Sequence, residues 1–226
     1  MGSISGFGGL YGAPPQVSST TDISSFTSDD IRSLTARQVA ALTTAQVASI
    51  ATGAIAGLTT RQVQALATRV GVLTTGQVQA LSTTQLNALS KAQASTLTAT
   101  QLNALTSDQI TGLSNAEIAA LNTTQLSGVN TGQLAQLSTS QVQALTTSEI
   151  AGLTSAQVAA LGTDQVASLK VNQIKAIETV DLQALTTAQM AAFSRSQAAA
   201  LSYSQIIALQ SAQVAALSPA DLAGFS

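Results

Sequence analysis

Leu34-Thr35-Ala36-Arg37-Gln38-Val39-Ala40-Ala41 is one copy of an eight-residue phrase that runs through almost the whole chain. Its general form is Leu-Thr-Thr-x-Gln-Val-x-Ala. The first position falls at Phe26, Leu34, Leu42, Ile50, Leu58, Leu66 and Leu73, then at every eighth residue to Leu217, which gives 25 units. The spacing slips once, at the seven-residue unit Leu66–Val72, which has no Gln. The first and sixth positions are apolar throughout, and the eighth is mostly Ala, Gly or Ser. The fifth is Gln in 18 units and acidic in five: Asp30, Glu117, Glu149, Asp181 and Asp221. A chain built from one local unit has a quasi-one-dimensional architecture.

The period decides what the unit is. In an unbroken helix, eight residues at about 100° each overshoot two turns by about 80°, so the Leu positions would wind all round it. In a strand, positions one and six have opposite parity and would face opposite sides. A short capped helix fits every position. The second residue is Thr, Ser, Asn or Gly in 20 units, the preferred N-cap types. Three residues later comes Gln, Glu or Asp, the capping-box partner, and positions one and six form the hydrophobic staple around it. Pro219 falls at the first helical position, which accepts Pro. Thr35 and Gln38 with Leu34 and Val39 show the set, and Thr146 and Glu149 with Leu145 and Ile150 repeat it.

Each unit is therefore expected to be about one and a half helical turns, re-aimed at the next Leu-Thr. Helices this short cannot stand alone, because nucleation is costly. The expected fold is all-α: a superhelical solenoid of short capped helices, one per eight-residue repeat. Its interior is aliphatic, and the small eighth residue lets backbones approach. The outer wall is expected to carry Thr or Ser at position three and varied residues at positions four and seven. The number of units per turn does not follow from the pattern. Gly71 beside Val70 in the short unit is expected to mark a local kink.

Residues 18–226 read as one solenoid, with 18–25 as a degenerate first unit in which Asp22 and Ile23 match positions five and six. Residues 1–17 stand outside the repeat. Gly2, Gly6, Gly8, Gly9 and Gly12 mark a flexible segment, and Phe7, Leu10, Tyr11 and Pro14-Pro15 give it an apolar, extended character. The repeat closes on Phe225, an apolar first-position residue. Phe7, Leu10, Tyr11, Phe26, Leu217 and Phe225 are the candidate assembly contacts. They point to head-to-tail association of the chain with itself, which gives filaments unless it closes into a ring.

Composition removes many functions. The chain has no Cys, His or Trp, which excludes disulfides, Cys or His metal sites and imidazole catalysis. Only 8% of residues are charged, against about 25% in an average domain. The net charge is −2 with no basic stripe, so nucleic acid is not an expected partner. No apolar run reaches the roughly 18 residues that span a membrane. Met1 to Gly6 has neither a basic nor an apolar region, so no classical signal peptide is visible. Asp29-Asp30 is the one adjacent acidic pair; Asp30 is an expected cap, and two neighbouring carboxylates do not make a cation cage. No Ser-x-x-Lys or Gly-x-Ser-x-Gly signals a nucleophile. No enzyme activity, cofactor or metal is expected.

The Leu-Thr-Thr-x-Gln-Val-x-Ala phrase, over residues 26–225, resembles the short-period repeats of large bacterial secreted or cell-surface proteins. That resemblance implies structural or adhesive material and carries over no site residues. The leading expectation is a structural subunit of an extracellular filament or surface appendage. The alternative is a monomeric binding module whose Thr, Ser and Gln wall recognises a protein, a glycan or ice.

Overall fold

The computed structural model describes residues 16–217. Among these residues the regular elements are 23 α-helices and one 3-10 helix. Each element is four to six residues long, one per unit.

The local cause is the corner at positions one and two. In the unit of Thr35, the cap residue is extended at φ −70° and ψ 154°, and Leu42 after the helix is extended at φ −58° and ψ 142°. Two extended residues stop one helix and re-aim the next. The capping box holds the corner: the Thr35 side chain accepts the Gln38 N–H at 3.2 Å, and Gln38 Oε1 accepts the Thr35 N–H at 2.8 Å. Where the cap side chain accepts no helix N–H, half the box survives. The N–H groups of Gly162, Lys170 and Gln210 still donate to Gln165, Gln173 and Gln213.

Each helix packs on the third helix before it and the third after it, so three units make one turn of the coil. One column runs through Thr44–Ser49, the 3-10 helix Ala67–Val72, Lys91–Ala94 and Asn115–Ile118. It continues through Thr139–Ala144, Thr163–Ser168, Thr187–Ala191 and Ser211–Ala216. The first- and sixth-position side chains fill the axis as one continuous core, from Ile23 to Leu217. The staple pair of the sequence is thus also the core pair.

Layers approach closely where the eighth position of one unit crosses the third position of a unit one turn earlier. A Cβ added at Gly57 would stand 2.2 Å from the Ser28 carbonyl oxygen, and one at Gly128 would stand 2.6 Å from the Ala99 Cβ. Third-position residues such as Ser28, Thr83 and Ala99 are therefore half-covered by the layer above. The wall expected to be free at position three is in part a layer contact.

The seven-residue unit is absorbed without breaking the stack. Leu66 stays helical, so Thr60–Ala65 runs directly into the 3-10 helix Ala67–Val72. The expected kink is concentrated at Ala67, whose φ of 50° lies in the left-handed region that residues with a Cβ disfavour.

The glycine contacts give a paired test. Gly57→Ala drives a Cβ into a backbone oxygen and should cost about 1–3 kcal/mol. At Gly53 an added Cβ meets nothing within 4 Å, so Gly53→Ala should gain up to about 1 kcal/mol. Urea unfolding followed by circular dichroism measures both. Equal shifts for the two variants would contradict the layer contact at Gly57.

Candidate functional site

The polar residues that recur most faithfully are the fifth-position Gln side chains, and the coil buries them. From Gln46 to Gln213 all lie in the interior, so they form no solvent-facing recognition stripe. Gln157 shows their work. Its Oε1 accepts the Thr154 N–H at 2.9 Å and completes the corner of its own unit. Its Nε2 donates to the carbonyls of Leu126 at 2.8 Å and Val129 at 2.6 Å, which belong to the corner one turn earlier. Gln109, Gln125, Gln141, Gln165, Gln173, Gln197, Gln205 and Gln213 repeat the same pair of carbonyls, 31 and 28 residues back. The spacing in the sequence identified the capping half. The second half is a bracket that ties each corner to the corner beneath it.

The departures from Gln are equally specific. The short unit lacks Gln, and Arg69 supplies the bracket instead. Its guanidinium donates to the carbonyls of Leu42 and, at 2.8 Å, Ala40, one turn earlier. Glu149 keeps the cap, accepting the Thr146 N–H at 2.6 Å, but a carboxylate has no N–H to send downward. Asp181 is buried and accepts the Ser155 hydroxyl from the layer below at 2.6 Å. Asp30 accepts from both the Thr27 N–H and its hydroxyl, at 2.9 and 2.7 Å, so it serves as the cap expected of it.

A second kind of bracket was not foreseen. At position seven, Asn87 donates to the Gly112 carbonyl and accepts the Ser114 N–H, both at 2.8 Å. Asn103 repeats this with Gly128 and Asn130. Gln79, Gln143 and Gln183 make only the donation. The recurrence of Asn and Gln at position seven was the available signal. Because Asn103 takes the Asn130 N–H, Oε1 of Gln133 is left buried without a partner. Because Asn87 takes the Ser114 N–H, the fifth position above it has no capping N–H to receive, and there the chain has Glu117. The Ser114 hydroxyl donates to it in a short contact. Burial pushes the Glu117 carboxyl above its ordinary value of 4.5, against the smaller opposing effect of backbone N–H groups.

The remaining candidates separate by position. Phe26 is half-buried against the core and Leu217 is inside it. Phe7, Leu10, Tyr11 and Phe225 lie outside the described residues. An open depression of ≈ 490 Å³ is lined by Leu97, Thr98, Ala99, Asn122, Thr123, Thr124 and Gln125. Among the described residues no group of three or more acidic side chains stands close enough to hold a metal ion. No helix among them is long and apolar enough to cross a membrane.

Compared with known families, the chain is similar to the ALTTAQ repeat over residues 139–171 and 174–211. The six residues of that description occur here at Ala184-Leu185-Thr186-Thr187-Ala188-Gln189 and Ala41-Leu42-Thr43-Thr44-Ala45-Gln46. In the structure they are one corner: small contact residue, core Leu, N-cap, first helical turn and bracketing Gln. No curated protein matches the chain.

Gln157→Leu removes the bracket from the Thr154 N–H and the Val129 carbonyl and should cost about 2–4 kcal/mol. Gln157→Glu keeps the cap and should cost about half as much; no loss at all would mean the downward bond contributes nothing, and a loss equal to that of Gln157→Leu would mean the same of the cap. Glu117 gives a pH test. Its folded pKa lies above the unfolded value of 4.5, so the native state holds the proton more tightly. Its contribution to stability therefore improves as pH falls through the folded value and levels off below about 4.5. The helices above and below, Thr139–Ala144 and Lys91–Ala94, present only the exposed Lys91 as a charge. Glu117→Gln should gain about 1 kcal/mol at neutral pH, and comparing urea midpoints at pH 7 and pH 4.5 should show the advantage shrinking on acidification. An advantage that stays constant between the two would refute the assignment.

Proposed function

We propose that the chain is a structural, non-catalytic repeat protein that assembles end to end into a filament or surface appendage outside the cell. The observation that carries this reading is the uniformity of the layer contact. Most units offer two backbone carbonyls upward and a Gln amide downward, so the surface of one layer suits the underside of another. In the last described turns, the carbonyls of Ile206 and Leu209 occupy the places from which Ile174 and Ile177 accept Gln205. A further unit laid on this turn, of this chain or of a second copy, meets an acceptor pair already in register. The wall is rich in hydroxyl and amide groups and poor in charge, with 8% charged residues overall, which lowers the repulsion between copies. The resemblance to bacterial secreted and surface proteins supports the extracellular setting.

A second reading rests on the depression beside Thr98, Asn122 and Thr123, whose mixed apolar, hydroxyl and amide lining suits a sugar or a peptide. In that reading the coil is a monomeric binding module.

Electron microscopy of negatively stained protein separates the two. Filaments that lengthen with concentration are expected. Short rods of one length, unchanged with concentration, would overturn assembly and leave the binding module.

A further inference from the structure

The wall of the coil is interrupted by large apolar side chains at one place in particular. Tyr203 is 78% exposed, Ile207 65% and Val180 57%. Tyr203 and Ile207, four residues apart in the helix Tyr203–Ala208, stand on one helical face. Val180 belongs to Thr179–Gln183, the helix packed directly beneath. Gln183 Nε2 ties the two helices by donating to the Ala208 carbonyl at 2.6 Å. Single exposed apolar residues are ordinary, but three on two stacked helices stand out in a hydroxyl and amide wall.

We infer that this patch receives residues 7–11 of a second copy of the chain. The inference rests on the end-to-end reading above and names the contact it would use. The segment Phe7-Gly8-Gly9-Leu10-Tyr11 holds three large apolar side chains in five residues, and no charge occurs before Asp22. It matches a patch of two aliphatic side chains and one ring, and its glycines let the backbone follow the surface. The chain cannot satisfy the patch with its own segment. Phe7 is nine residues from Gln16, so its reach is at most about 30 Å. The Tyr203 helix lies about seven layers beyond Ala36–Ala41 in the same stack, at roughly 8–10 Å per layer, or more than 50 Å. Any residues 7–11 that dock here are therefore those of another copy. Patch and segment are different surfaces, so the contact is heterologous and propagates from copy to copy.

The chain has no Cys, which makes cross-linking clean. Full-length chains carrying Gly12→Cys are mixed with longer-tagged chains carrying Ser204→Cys, which leaves Tyr203 and Ile207 intact. A mixed disulfide should form well in excess of that with the exposed control Ser140→Cys, and yield equal to the control would overturn the inference. In the second arm, Tyr203→Thr with Ile207→Gln restores repeat-like surface residues, and circular dichroism checks that the fold is kept. This variant should need at least tenfold more protein to assemble. Filaments that form as readily as wild type would sink the docking surface while leaving assembly in place. A specific cross-link without any filaments would support the docking contact and sink the end-to-end reading.

Discussion

One Gln amide in most units holds two layers together. The fifth-position Gln accepts from its own corner and donates to the corner below, so its oxygen and nitrogen settle different problems with one side chain. The first is local: a helix of four to six residues leaves most of its N–H groups without intrahelical partners. The second is global: extended Leu-Thr corners leave carbonyls pointing along the coil axis, buried by the next turn. A buried carbonyl without a partner costs about 1–3 kcal/mol, so the stack depends on something that reaches it. Gln157 meets both demands at ordinary hydrogen-bond distances. Most other features follow, including the burial of the Gln column and the small residues that let layers come within its reach.

The substitutions show which half can be given up. Glu149 retains the cap and loses the downward bond; Arg69 retains the downward bonds in a unit with no cap of this kind. Asn87 and Asn103 move the acceptor for the corner N–H to position seven, and the fifth position then drifts to Glu117 or to a Gln133 with an idle oxygen. These are alternative solutions to one accounting of buried polar groups.

The helix, its cap and its staple were readable because they depend on residues within one unit. Thr35, Gln38, Leu34 and Val39 announce their roles by spacing alone. The three-unit turn was not readable, because it is set by contacts 28 to 31 residues apart in a chain where every unit looks alike. Arg69 was hidden for a related reason: nothing near it in sequence shows that two carbonyls of an earlier turn await a donor. The third position was misplaced as wholly outer wall because the crossing of Gly57 over Ser28 exists only once layers stack. For assembly, Phe26 and Leu217 proved to be core-facing, and the exposed apolar patch at Val180, Tyr203 and Ile207 arises from departures at positions four, three and seven that looked like ordinary variation.

The fifth-position brackets also point one way along the chain. Gln62 reaches back to Ile31 and Leu34, Gln101 to Val70 and Leu73, and Gln213 to Leu182 and Leu185. A unit's fifth-position donor finds its acceptors in segments synthesised earlier. A chain emerging from a ribosome with its N-terminus first can therefore wind up turn by turn as it appears. Once the first complete turn exists as a nucleus, each new octapeptide lands on a finished template and needs only the occasional position-seven bond from below. The polarity of one side chain makes the coil a vectorial folder.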